Sequence, residues 1–131
     1  MTKRHLVAAY KSGLEDAMAV ICEREGLKVG YETKVLPYII PESKHRYTPD
    51  WEVSPTAFIE TKGIFDATDR KKAILIREQH PDITILYVFS RNQKLSKMSK
   101  TTYGDWCDKH DLPWCVFSNK EVWLNFIRSR Q

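Results

Sequence analysis

Residues 47–63 read YTPDWEVSPTAFIETKG. Two short runs of β-branched and aromatic residues flank Ser54-Pro55-Thr56, which predicts two strands, 47–53 and 57–63, joined by a tight turn. With a three-residue loop, Val53 pairs with Ala57, Trp51 with Ile59 and Asp50 with Glu60. Strand side chains alternate, so Trp51, Val53, Ala57 and Ile59 share one apolar face. Asp50, Glu52, Phe58, Glu60 and Lys62 then share the other. A two-residue loop would place Asp50 and Glu60 on opposite faces, so the pairing requires an odd number of loop residues.

Carboxylates directly opposite one another on a sheet repel. A hard divalent cation resolves that conflict, because Mg²⁺ takes carboxylate oxygens and retains water. Lys62 lies one step along the same face, where an ammonium can orient a metal-bound water or stabilise phosphate charge. A solvated polar face accounts for an isolated Glu-x-Lys equally well. Both readings stand at this point.

The surrounding chain predicts a mixed α/β domain. A helix over 12–25 has Ser12 as N-cap and Gly26 at the position of a terminating glycine. Glu15 completes the spacing of a capping box with Ser12. Residues 29–40 are extended but carry Pro37, which restricts them to an edge strand or an arm. A helix over 68–80 stops at Pro81. The run ITILYVF, 83–89, predicts a strand buried on both faces. A basic loop at 91–100, a short helix over 102–110, a strand at 114–117 and a helix over 120–130, capped by Ser118 or Asn119, complete the reading. Tyr103, Trp106, Trp114, Phe117, Trp123 and Phe126 read as core.

At 131 residues the chain suits one domain, and 42% hydrophobic residues supply an ordinary core. No apolar run reaches the ~20 residues that span a bilayer, and residues 1–10 hold no signal-peptide h-region. Cys22, Cys107 and Cys115 are odd in number and form no CxxC, which argues against a disulfide framework or a zinc site and fits a reducing cytosol. The net charge of +4 is modest, but Lys3, Arg4 and Lys11 form one acid-free stretch, and Arg91, Lys94, Lys97 and Lys100 another, as phosphate contacts require. Arg70, Lys71 and Lys72 lie in the first turns of a helix, where cations oppose its dipole. A docked DNA phosphate would make that placement favourable, and a solvated face also accommodates it. There is no Gly-rich phosphate loop to indicate a nucleotide cofactor, and the four histidines lack metal-ligand spacing.

Five strings carry a more specific signal: SGLED (12–16), YTPD (47–50), ETKG (60–63), DRKK (69–72) and LIREQHP (75–81). In order and spacing they resemble the phage endonuclease I family, whose members belong to the PD-(D/E)XK nucleases. The resemblance covers about residues 10–112. It implies a restriction-endonuclease-like core and an intertwined, domain-swapped homodimer. Residues 12–35 would be the exchanged part, 36–41 the arm and 42–131 the catalytic core. It implies a catalytic set of Glu15, Asp50, Glu60 and Lys62, with Glu15 supplied by one chain and the rest by its partner. Up to two Mg²⁺ or Mn²⁺ ions would sit on Glu15, Asp50, Glu60 and the Thr61 carbonyl. The implied activity is resolution of four-way (Holliday) and other branched DNA junctions by paired symmetric nicks, in a bacterial host cytosol. Two alternatives are a less selective nuclease of mismatched or linear duplex and a branched-DNA-binding protein with a dead site. Beyond Leu112 the family's basic tail gives way to a helix-like segment, 122–130.

Overall fold

The computed structural model describes residues 10–40 and 43–131. Lys3 and Arg4, and the end of the expected arm at 41, lie outside the described residues.

A five-stranded mixed sheet has the order β1-β4-β5-β6-β7, comprising Gly30–Tyr31, Trp51–Ser54, Ala57–Lys62, Thr84–Phe89 and Trp114–Val116. The first three neighbours are antiparallel, and β5, β6 and β7 run parallel. A separate ribbon pairs β2 (Leu36–Ile40) with β3 (Ser43–Tyr47). The expected strand over 47–53 is therefore two elements. Tyr47 ends β3, and Pro49, which cannot donate to a ladder, separates it from β4. Likewise the extended stretch 29–40 divides: Gly30 and Tyr31 extend the main sheet, and Leu36–Ile40 leaves it for the ribbon. Pro37 sits opposite Arg46 on this two-stranded ribbon.

The hairpin achieves the expected facing by another route. Trp51 pairs with Ile59 and Glu52 with Phe58, as the alternation predicts, but Ser54 rather than Val53 pairs with Ala57. The turn is thus only Pro55-Thr56, and a bulge between Glu52 and Ser54 absorbs one residue. That extra residue restores the facing a two-residue loop alone would destroy.

Both faces of the sheet are buried. Trp51, Val53, Ala57 and Ile59 pack with Leu86, Val88 and Cys115 against helices α1 (Gly13–Arg24) and α4 (Lys120–Arg128). On the other face the hairpin brings Asp50, Glu52, Glu60 and Lys62, whereas the run 83–89 predicts burial there. That face is covered by α2 (Ala67–Gln79) and α3 (Tyr103–Lys109), because Phe58, Tyr87 and Phe89 anchor an apolar layer beneath them. Only the end of the hairpin, around Asp50, Glu60 and Lys62, keeps polar character. The β2–β3 ribbon lies on α2, where the Gln79 side chain bonds both the amide and the carbonyl of Ile39.

Helix limits follow local chemistry. Ser12 accepts from the Glu15 amide, Gly26 adopts φ +68°, and Thr102 forms a capping box with Asp105. Asn119 is the N-cap residue of α4 but makes no side-chain cap bond. Among the described residues no helix is long and apolar enough to cross a membrane. Gly104 lies directly beneath the Trp114 ring, 2.2 Å from where a Cβ would be built. Gly104→Ala is expected to destabilise the protein by roughly 2 kcal/mol, measured by chemical denaturation. An unchanged midpoint would mean that Trp114 moves freely.

Candidate active site

Asp50 occupies the bend just before β4, and Glu60 lies on the neighbouring strand β5. Asp50 is buried, and its amide donates to Glu60 Oε1 at 3.3 Å. Two donors from Thr61 hold Asp50 Oδ2: the amide at 2.9 Å and the hydroxyl at 2.7 Å. The Lys62 carbonyl accepts from Ser90 on the β6 side. Alternate residues of a strand direct their backbone groups to opposite edges, so the Thr61 carbonyl points toward the Asp50 edge.

Glu15 reaches this cluster from the first turn of α1. It is buried, and its carboxyl lies against Asp50 within the same chain. The expected capping box is only half formed. Ser12 Oγ accepts from the Glu15 amide, but Glu15 Oε1 accepts from the Lys11 amide at 2.9 Å and the Tyr31 hydroxyl at 2.7 Å, not from Ser12. The Glu15 carboxylate thus links the helix end, through the Lys11 amide, to Tyr31 of the sheet.

Glu60 Oε1 also accepts from the Tyr47 hydroxyl at 2.7 Å. Burial, and then the charge of Asp50, push Glu60 up to about 8. Burial raises Asp50 to about 6, with Glu15 adding to the rise and the Thr61 bonds opposing it. Burial likewise holds the Tyr31 and Tyr47 phenols above their ordinary range, so both remain O–H donors. Lys62 Nζ pairs with Asp69 Oδ1 at 3.1 Å, and its charge acts downward on Glu60. A cavity of about 20 Å³ between Glu60, Lys62, Asp69 and Tyr47 has room for roughly one water.

All four expected site residues therefore meet at one end of the hairpin. Among the described residues, no three His, Cys, Asp or Glu side chains already surround one point as a ready metal site. The donor set nevertheless suits a hard cation. It offers carboxylate oxygens and a strand carbonyl, and Asp50 and Glu60 are both held above their usual range, chiefly by burial.

Asp69, Tyr31 and Tyr47 escaped the sequence reading. Asp69 was visible only as part of DRKK, although its place seven residues after Lys62 set it in the first turn of the next helix. Its second oxygen closes a capping box with Asp66. The helix end that Arg70, Lys71 and Lys72 approach carries the Asp66 and Asp69 carboxylates of its capping box. Arg70 instead donates to the Phe65 carbonyl at 2.7 Å, Lys72 lies 4.9 Å over the Tyr47 ring, and Lys71 is exposed. Arg91, Lys94 and Lys97 are exposed on a loop that Gln93 ties to the Gly63 carbonyl at 3.1 Å, beside the site. Asp69→Asn is expected to release Lys62 and slow catalysis by at least ~10-fold, because a misplaced catalytic group loses its orientation. Turnover at the parent rate would show that Lys62 is held by other means.

The phage endonuclease I family matches residues 1–130. The chain belongs to that family. Endodeoxyribonuclease 1 of Enterobacteria phage T3 is 52% identical over 115 residues, covering 87% of this chain and 74% of the relative. Endonuclease I of Escherichia phage T7 is 49% identical over 123 residues, covering 93% of this chain and 80% of the relative. The family match continues past Leu112 through β7 and α4, so the C-terminal part belongs to this endonuclease's family pattern as well.

Proposed function

We propose that this endonuclease is a homodimeric, divalent-metal-dependent enzyme that resolves four-way and branched DNA junctions by paired nicks. The observation that carries the reading is the meeting of Glu15, Asp50, Glu60 and Lys62 at one end of the hairpin, in a chain about half identical to two phage nucleases. The name of the T3 relative supplies DNA as the substrate class.

Asp50, Glu60, Glu15 and the Thr61 carbonyl are the residues that would hold Mg²⁺ or Mn²⁺, up to two ions. The cation supplies Lewis-acid activation of water and stabilisation of the leaving oxygen. The chain's own groups do the rest. Lys62, steadied by Asp69, places a positive charge where phosphoryl charge develops. The buried carboxylates exclude bulk solvent from their inner oxygens. Arg91, Lys94 and Lys97, with Lys71 and Lys72, supply a basic rim for the DNA backbone. Such contacts read branched shape and not base sequence.

Exchange between two chains is part of the proposal. The β2–β3 ribbon is joined through residues 41 and 42, and its pairing and its bonds to Gln79 can be made within one chain or between two. Opening that connection would hand α1, β1 and Glu15 to a partner with every other contact retained. Two sites then face two strands, as paired nicking requires. The phage origin of the relatives supports a setting in the cytosol of an infected bacterial host.

The deciding assay compares an end-labelled four-way junction with a linear duplex of the same arms, in Mg²⁺, Ca²⁺ or EDTA. The expected result is Mg²⁺-dependent, symmetric cutting of the junction with the duplex spared. Equal cutting of both would reduce the activity to a general nuclease. Tight binding without cutting in Mg²⁺ and Mn²⁺ would leave a DNA-binding protein.

A further inference from the structure

Each of the three site carboxylates is gripped in the same way. Tyr31 and the Lys11 amide both donate to Oε1 of Glu15. Tyr47 and the Asp50 amide both donate to Oε1 of Glu60. The Thr61 hydroxyl and amide both donate to Oδ2 of Asp50. In every case two donors converge on one oxygen, one of them a hydroxyl at 2.7 Å. Among the described residues no hydrogen-bond donor addresses the second oxygen of any of the three.

We propose that Tyr31 and Tyr47 are positioning residues, whose hydroxyls fix one oxygen of Glu15 and of Glu60 so that the second oxygen is presented to the cation. The inference rests on the metal-dependent reading above. A carboxylate has two equivalent oxygens and a freely turning terminal bond. Occupying one oxygen from a rigid neighbour removes that freedom before any ion arrives. A lysine or arginine donor would achieve the same orientation but would also cancel the negative charge that attracts the ion. A phenol orients without neutralising.

Packing makes the two rings suitable anchors. Tyr31 stands edge-on to Tyr10 at 4.6 Å and lies 5.0 Å from Trp51. Tyr47 is buried, with Lys72 over its ring. They come from β1 and β3, outside the elements that carry their carboxylates: Glu15 is on α1 and Glu60 on β5.

The test is Mn²⁺ binding to the full-length chain without DNA, by titration calorimetry, for wild type, Tyr31→Phe, Tyr47→Phe and Glu60→Ala. Loss of an orienting partner typically weakens metal binding by about 10–100-fold. Each Phe variant should show a shift of that size, and the Mg²⁺ concentration giving half-maximal cleavage should rise with it. Junction affinity in EDTA should remain within about twofold of wild type. Glu60→Ala should lose Mn²⁺ binding. Phe variants that bind Mn²⁺ as wild type does would overturn the positioning role, whatever their stability. If Tyr47→Phe fails to fold, Tyr31→Phe on the sheet edge decides. A wild-type chain that takes up no Mn²⁺ would overturn the metal-dependent reading itself and this inference with it.

Discussion

Glu60→Gln is expected to abolish cleavage and, in the same protein, to raise resistance to unfolding at alkaline pH. The two effects have one cause. Glu60 is pushed up to about 8 from an ordinary value of 4.5, chiefly by burial. An unfolded chain releases that proton near 4.5, whereas the folded chain keeps it until about 8. Between these values folding takes up a proton, so stability falls as pH rises and levels off above the folded value. Glutamine keeps the shape and the acceptor for Tyr47 but never acquires the buried charge.

In EDTA at pH 9 the variant should exceed wild type by roughly 3 kcal/mol, or about 10 °C in Tm. The gap should close toward pH 4, where the folded wild type is itself protonated and its unfolded chain mostly so. Saturating Mg²⁺ should stabilise wild type alone, since only a chain that binds the ion gains from it. Melts at several pH values, with and without Mg²⁺, read all of this. Parallel pH profiles for the two proteins would contradict the buried position of Glu60. Cleavage at the wild-type rate would remove it from the catalytic set.

Mixing Glu15→Ala chains with Lys62→Ala chains is expected to restore nicking that neither possesses alone. If α1 passes to the partner, one site of the mixed dimer combines an intact Glu15 with an intact Asp50, Glu60 and Lys62, and the other lacks both mutated groups. The product should be a junction nicked in one strand, without the paired second cut. If each site is completed within its own chain, as the contact of Glu15 with Asp50 permits, no combination contains an intact set and the mixture stays dead. Co-expression with two affinity tags secures true heterodimers. A dead heterodimer of proven composition would establish assembly within one chain.

How much could be read beforehand depended on the range of the interactions. Ser12, Gly26 and the seven-residue run ending at Phe89 announced their elements, because capping, positive φ and double-sided burial act over a few residues. The facing of Asp50 and Glu60 was also legible, since alternation propagates along a strand. The resemblance, and not the local pattern, singled out Glu15, whose spacing from Ser12 suggested a cap. What stayed hidden lay across sequence. Helices α2 and α3 cover the face on which the hairpin shows mostly charged residues, a burial that the run 83–89 announced and the hairpin itself, Phe58 apart, did not. Tyr31 and Tyr47 looked like ordinary strand aromatics until their hydroxyls met carboxylates 16 and 13 positions away. Asp69 could be matched with Lys62 only once the turn between β5 and α2 was known.

The bulge near Val53 also governs which insertions and deletions this lineage can tolerate. Losing one residue from the Pro55-Thr56 turn, or gaining one, would turn Asp50 toward the wrong side of the sheet unless the bulge vanished or doubled in compensation. Changes of two residues leave the site intact. Length variation at this surface turn, which contacts no catalytic group, is therefore filtered as strictly as substitution within the active site. Surviving relatives should differ there in steps of two, or in single steps that trade against the bulge.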